Sequence, residues 1–350
     1  MYVIDRLQRR ARLMEPGGFA MVMATGIVSI DAMQHAMPWI GLALFALSWA
    51  AYLWLLLLSV MRLLCHRDEM VMHFRTPGRD AAFLTLPAAT CVLATQCLQV
   101  AYLPLLARVV AIWGALCWLV LTYLFFLSTI TRHDKAPFSD TINGSWLVTV
   151  VATQALAVLV ALLARDGTFV AHEHALFVAV SLYLIGCAWY LIIITLITYR
   201  MVLLPLNARQ FTPPYWINMG ALAVSTLAGS TIILNAPPQG PLYDLLPFVR
   251  GFTLFYWATA TWWIPLLIML ELWRHVWSRV PVTYEVDDWD IVFPIGMYTV
   301  CTTALAKAMG ADYLLAIPDV GVYVSLLAWA LVAAGLVWRL AHRRMGGPAS

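Results

Sequence analysis

The chain is 350 residues long, 63% hydrophobic and only 11% charged, with a mean hydropathy of +0.82 and a formal net charge of +3. A soluble domain of this composition lacks the polar surface to cover itself. That excludes a water-soluble enzyme or nucleic-acid-binding protein and leaves a polytopic membrane protein.

Residues 1–16 read as a cytoplasmic basic lead, with Arg6, Arg9, Arg10 and Arg12 suited to a short interfacial helix. No small-residue cleavage site follows a compact apolar core, so a signal peptide is not expected. Ten apolar segments follow, at 17–36, 38–64, 80–102, 105–131, 143–164, 173–200, 215–235, 249–278, 290–309 and 316–341. Each reaches the roughly 20 residues that a bilayer core requires. Together they predict an all-α transmembrane pore domain over 17–341, with 342–350 as a cytoplasmic tail. An even number of spans puts both termini on one side. Of the 21 Lys and Arg, only Arg108, Arg165, Arg250 and Lys307 flank the segments on the other side. The positive-inside rule therefore predicts cytoplasmic termini, in a plasma membrane or a bacterial inner membrane.

The segments alternate in character. The first carries Thr25, Gly26, Ser29, Asp31 and Gln34, whereas the second is almost entirely oily; 217–235 and 252–273 repeat the contrast. Odd segments begin near 17, 80, 143, 215 and 290. This pattern predicts five helical hairpins repeated around a central pore, odd helices inside and even helices against lipid. Breakers concentrate on the inner helices: Gly26, Pro87, Gly220, Gly229, Pro294 and Gly296, with Pro265 the outer-ring exception.

The ninth segment is the most informative. An acidic run, Asp287, Asp288 and Asp290, suits a helix N-terminus. At helical spacing Phe293, Gly296, Val300, Thr303 and Lys307 share one stripe, an aromatic followed by small or weakly polar positions and one cation. Such a face suits a conduction path, with Phe293 as its plug; the alternative is ordinary packing. Thr25, Ser29, Thr149, Thr153, Thr299 and Thr303 either contact a passing anion or bond back to their own helix carbonyls. No Arg or Lys lies mid-span in an odd segment, which favours throughput over tight binding. Lys307 belongs to the outer vestibule, collecting anions or snorkelling to the interface. Asp31 is the one acid within an inner helix, placed for proton coupling or for solvation at the mouth.

Other features are bland. The six cysteines form no C-x-x-C pair and read as small buried hydrophobes. Glu271 and Arg274 form an i,i+3 pair, and the loop His172-Glu173-His174 offers no helical metal face. No hydrolase, nucleotide-binding or zincin motif is present, so neither an enzyme nor a metal or other cofactor is expected. Trp39, Trp146, Trp216 and Trp338 fall near segment ends, as interface anchors should.

Two stretches carry a family resemblance. Residues 16–29, PGGFAMVMATGIVS, resemble the first-helix motif of the tellurite-resistance/C4-dicarboxylate transporter family, which includes the slow-type anion channels of plants. Trp289 with Phe293-Pro294-Ile295-Gly296-Met297-Tyr298 resembles its ninth-helix motif, and Trp216-Ile217-Asn218-Met219-Gly220-Ala221 fits its seventh helix. Ala24, where the family usually has glycine, and the acidic run before Trp289 are departures. The resemblance implies a homotrimer in which the five odd helices of every protomer form a pore, with Phe293 at the position of an occluding phenylalanine. The pore-lining set then comprises Thr25, Gly26, Ser29, Pro87, Thr149, Thr153, Asn218, Gly220, Pro294, Gly296 and Thr303. Two functions follow from it. One is a channel for small anions such as chloride, nitrate, tellurite or C4-dicarboxylates; the other is a proton-coupled carrier of dicarboxylates or tellurite.

Overall fold

The computed structural model describes residues 2–166 and 172–345; residues 346–350 of the expected tail lie outside them. Among the described residues, ten helices, counted with the short turns that lead into them, are long and apolar enough to cross a membrane. They are α1 (Ala20–Gln34), α2 (Pro38–Cys65), α3 (Thr85–Gln99), α4 (Pro104–Thr131), α5 (Val148–Leu163), α6 (His172–Leu203), α7 (Ile217–Asn235), α8 (Pro241–Leu272), α9 (Trp289–Met309) and α10 (Ala316–Met345). A hydrocarbon interior offers no partner for free backbone groups, so segments this apolar close their hydrogen bonds internally as helices.

The odd helices touch in the order α1, α3, α5, α7, α9 and back to α1, a closed five-membered ring. In their most apolar stretches 67–94% of odd-helix residues are buried, against 11–44% in the even helices. The odd helices form an inner ring and the even helices an outer one.

Two repeated devices build this ring. First, every inner helix starts with a tight 3₁₀ turn: Pro16–Phe19, Asp80–Leu84, Gly144–Leu147, Pro213–Trp216 and Val286–Asp288. Each turn delivers a buried aromatic, namely Phe19, Phe83, Trp146, Trp216 and Trp289. These rings brace the base of the inner helix. Phe19 meets Tyr52 of α2 edge-on at 5.9 Å, Trp146 meets Phe125 of α4 at 5.3 Å, and Trp216 donates to Glu271 of α8 at 2.9 Å. Second, each outer helix is pinned to the inner helix of the next hairpin. The Tyr52 and Thr90 hydroxyls (α2–α3) meet at 2.9 Å, Trp118 (α4) donates to Thr153 (α5) at 2.9 Å, and Tyr190 (α6) donates to the Asn218 carbonyl (α7) at 3.3 Å. Trp257 (α8) donates to Thr302 (α9), and Trp329 (α10) to Thr25 (α1), each at 3.0 Å. The last pair closes the circle. Such bonds contribute only about 0.6 kcal/mol each between membrane helices, but each also satisfies a polar group that lipid cannot.

The structure corrects several boundaries. The eighth helix begins at Pro241, eight residues before the expected 249, because proline at the first helical position starts it despite Asp244 and Pro247. His172-Glu173-His174, read as a loop, opens α6, where the His172 ring bonds the Ala164 carbonyl at 2.9 Å. Glu271 pairs with His275 at 3.3 Å and with Trp216, not with Arg274. The described residues hold three further α-helices: Tyr2–Arg12 in the basic lead, where a short helix was expected, and Arg67–Arg75 and Phe138–Thr141, which periodicity did not resolve. Arg12 and Glu69 tie Tyr2–Arg12 and Arg67–Arg75 together at 2.7 Å.

Candidate functional site

All five inner helices run in the same direction, so their first turns converge at the end that carries both chain termini. There they enclose a vestibule of about 430 Å³. Its wall takes Pro16 and Gly17 from the base of α1, Ala82 and Thr85 from α3, Ser145 and Val148 from α5, Pro214 from α7, and Asp287 and Asp290 from α9. Beyond it, on the same axis, lies a small cavity lined by all five inner helices. Ile27 and Ile30, Val92, Thr95 and Gln99, Ala155 and Val158, Val224 and Leu227, and Met297 and Val300 form a largely aliphatic collar of about 20 Å³, with Thr95 and Gln99 its polar members. That is room for roughly one water molecule.

Phe293 lines neither space, but on α9 it falls between residues that do. It is three residues past Asp290 of the vestibule and four before Met297 of the collar, hence on the same face of α9, and it is 2% exposed. The backbone under it is distinctive. Pro294 has no N–H to offer the Asp290 carbonyl, so one rung of the α9 ladder is missing beside the ring. The Pro294 ring fills the notch at Gly220 of α7, where an added Cβ would come within 2.8 Å of it. Gly296 does the same job on the other side, facing Ile27 and Val28 of α1. α9 thus sits tightly between its two neighbours at the level of Phe293.

The electrostatics of the vestibule are mixed. Glu15, Glu285, Asp287 and Asp290 face Arg79 and Arg339. Burial, and then the neighbouring Arg62 and Arg79 cations, push the His73 imidazole below the usual histidine range, so it is neutral near pH 7. Against the surplus carboxylates stand five helix N-termini, each equivalent to roughly half a positive charge. The acidic run also caps the 3₁₀ turn that leads into α9: the Glu285 N–H donates to the Asp288 carboxylate at 2.9 Å within a capping box.

Most of the hydroxyls expected to line the axis are turned elsewhere. Thr25 accepts from Trp329, Thr153 accepts from Trp118, and Ser29 donates to the Gly41 carbonyl of α2 at 2.7 Å. Thr149, Thr299 and Thr303 donate to carbonyls of their own chain segment. The physical reason is supply: outer-ring indoles and buried hydroxyls need partners, and a largely aliphatic axis provides few. Gly26 faces Val92 and Gln96 of α3, giving close helix contact there. Pro87 is buried in the first turn of α3, and Lys307 is exposed in the last turn of α9, where its charge suits the helix C-terminus. Asp31 is not at a solvated mouth. It is fully buried, accepting from Ser325 of α10 at 2.7 Å and facing the His35 ring at 3.1 Å. Asn218 is fully buried, and its side-chain amide has no partner among the described residues. Gln96 of α3 is in the same condition and was missed, because one glutamine in an apolar run gives no periodic signal.

Residues 14–337 match the sequence pattern of the voltage-dependent anion channel (SLAC1) family. The chain belongs to this family. Membership accounts for the first- and ninth-helix motifs together and makes the protein a membrane channel or transporter for anions. Relatives of this chain include an uncharacterised membrane protein of Mycobacterium tuberculosis, 35% identical over 43% of this chain and 77% of its own. An uncharacterised transporter of Methanocaldococcus jannaschii is 22% identical over 87% of this chain and 89% of its own. A sulfite efflux pump of Arthroderma benhamiae is 22% identical over 93% of this chain and 90% of its own.

If anions enter through this vestibule, its ionised acids oppose them. A unit charge about 5 Å from such a path costs an anion about 1 kcal/mol in high dielectric, which is a several-fold drop in local concentration. Asp287→Asn with Asp290→Asn is therefore expected to raise anion current entering from this end several-fold at about 10 mM salt and at alkaline pH, where both carboxylates are ionised. The gain should shrink toward unity near 1 M, where the Debye length is about 3 Å. Bilayer recordings over a salt series check this; a salt-independent change would assign the effect to packing.

Proposed function

We propose that this protein is an anion channel whose path runs along the axis of the inner ring and is closed by Phe293. The observation that carries this reading is the burial of Phe293 on the α9 face between Asp290 of the vestibule and Met297 of the collar. An aromatic in a narrow apolar constriction excludes water, and an ion cannot pass a dewetted segment. The end bearing both termini is cytoplasmic, consistent with its share of Lys and Arg, in the plasma membrane or a bacterial inner membrane. The assembly is a homotrimer with one pore per protomer, as the family resemblance implies. The anions are small: chloride and nitrate, with sulfite added by the relative that exports it, and tellurite and C4-dicarboxylates as further members. Planar-bilayer recordings of wild type and Phe293→Ala, with chloride, nitrate, sulfite and malate in turn, test the reading.

The competing reading is a proton-coupled carrier of malate-like dicarboxylates or tellurite, for which Asp31 is the available coupling acid. Its carboxylate is enclosed between Ser325 and His35 at the junction of α1 and α10, whereas the collar takes Ile27 and Ile30 from α1. Asp31→Asn is accordingly expected to keep anion flux within about twofold of wild type from pH 5 to 8, measured in proteoliposomes. Loss of uptake together with its pH dependence would establish the carrier.

A further inference from the structure

A second cavity, larger than the vestibule, opens on the lipid-facing side at the terminus-bearing end. It lies between α2, α4 and the short helix Arg67–Arg75, and holds about 970 Å³. This is the upper end of the roughly 300–1,000 Å³ typical of small-molecule sites. Its floor is apolar: Leu63 from α2, Val71 and Phe74 from the short helix, Phe83 from the first turn of α3, and Leu124 and Leu127 from α4. Its rim is basic, with Arg67, Arg75, Arg132 and His133 against a single acid, Asp134. Arg132 is partly committed, to buried Asp80 at 3.2 Å. Arg67 and Arg75 are exposed and have no ion-pair partner among the described residues.

We infer that this groove binds an anionic phospholipid of the surrounding leaflet, acyl chain on the leucine floor and phosphate between Arg67 and Arg75. Three observations select this occupant. Leu63, Leu124 and Leu127 are 51, 44 and 58% exposed on helices whose outer faces already meet acyl chains, so the floor is continuous with the lipid-facing surface. The cations stand at the ends of the spans, where headgroups lie, and the net positive rim matches a phosphate that carries no compensating choline. Helix Arg67–Arg75 presents Phe74 and Val71 to the groove and its arginines to the rim, the two-sided character of an interfacial helix.

The site reaches the pore wall. Phe74 meets Phe83 edge-on at 5.2 Å, and Phe83 belongs to the 3₁₀ turn that contributes Ala82 to the vestibule. Arg132 on the rim holds Asp80 at the start of that same turn. A bound lipid therefore braces the base of α3. The site itself does not depend on the Phe293 reading.

The test uses delipidated, purified full-length protein, with bound lipid followed by native mass spectrometry and stability by melting. Phosphatidylglycerol is expected to bind wild type at least tenfold more tightly than phosphatidylcholine and to raise its melting temperature by several degrees. Arg67→Gln with Arg75→Gln should lose that preference while melting like wild type without lipid. Leu124→Trp, which fills the groove and keeps every charge, should lose phosphatidylglycerol binding too. Equal binding of the two lipids, or a preference that survives the arginine replacements, overturns the assignment. Protection by glycerol phosphate equal to that by phosphatidylglycerol overturns the acyl-chain component. A second copy of the chain seated in the groove, seen as an oligomer that Leu124→Trp abolishes, overturns the lipid occupant.

Discussion

Phe293→Ala is expected to convert a nearly silent protein into one that conducts anions constitutively, with current at least tenfold above wild type in planar bilayers. On the proposed path the ring separates a polar vestibule from a collar with no charged side chain, so its removal should join the two spaces and let water advance along α9. The missing Asp290–Pro294 rung allows that part of α9 to adjust without breaking another hydrogen bond. Because the collar is largely aliphatic, an ion crossing it pays for dehydration with only weak polar contacts in return. Selectivity should follow dehydration cost, nitrate and iodide ahead of chloride, with divalent sulfite last. If Phe293 were a packing residue alone, truncation would cost about 3–5 kcal/mol, lowering yield without adding current. Expression, melting temperature and conductance of the same variant separate the outcomes. A stable, well-expressed Phe293→Ala protein with no added current sinks the gate.

The largest effect on stability is expected at Gly144, where the first turn of α5 meets the first turn of α7 backbone to backbone. An added Cβ would overlap the Pro214 carbonyl and come within 2.7 Å of the Tyr215 nitrogen. Neither is the movable end of a side chain, so the two turns must separate. The Asn143 side chain, which accepts from the Ser145 N–H at 2.9 Å, would be pulled from its cap. Overpacking against yielding side chains costs about 1–3 kcal/mol, and rigid backbone should exceed that, against a total stability of roughly 5–15 kcal/mol. Gly144→Val is expected to abolish the monodisperse peak in detergent, whereas Gly251→Ala on α8, with nothing within 4 Å of its Cβ, should behave as wild type. Size-exclusion profiles and melting curves of the pair decide it. A Gly144→Val protein as stable as wild type would mean that the two turns at the inner-ring base are not in rigid contact.

Part of the fivefold construction is written in short motifs. The strings PGGF, DAAF, NGSW, PPYW and VDDW end at Phe19, Phe83, Trp146, Trp216 and Trp289, spaced like the starts of the odd helices. Each is a turn that ends in an aromatic. A scan for short motifs at the odd-segment starts finds them, whereas whole-repeat identity does not.

Composition along the chain was enough to determine the ten spans, the inner and outer rings, the side on which charge collects, and the notable status of Phe293-Pro294. These properties are decided locally, by each segment's exchange between water and lipid, so each segment states its own answer. Which way an inner-helix side chain points is a different kind of property. A helix such as α7, buried on nearly every side, has no polar stripe, and its sequence period cannot tell axis from neighbour. Only tertiary packing decided that Thr25 and Thr153 answer outer-ring indoles, that Asp31 is enclosed by Ser325 and His35, and that the first turns of the inner helices enclose an acidic vestibule. Apart from His35, four residues from Asp31, the partners that settle these directions lie tens to hundreds of residues away, 304 for Thr25 and Trp329, beyond the reach of any local pattern.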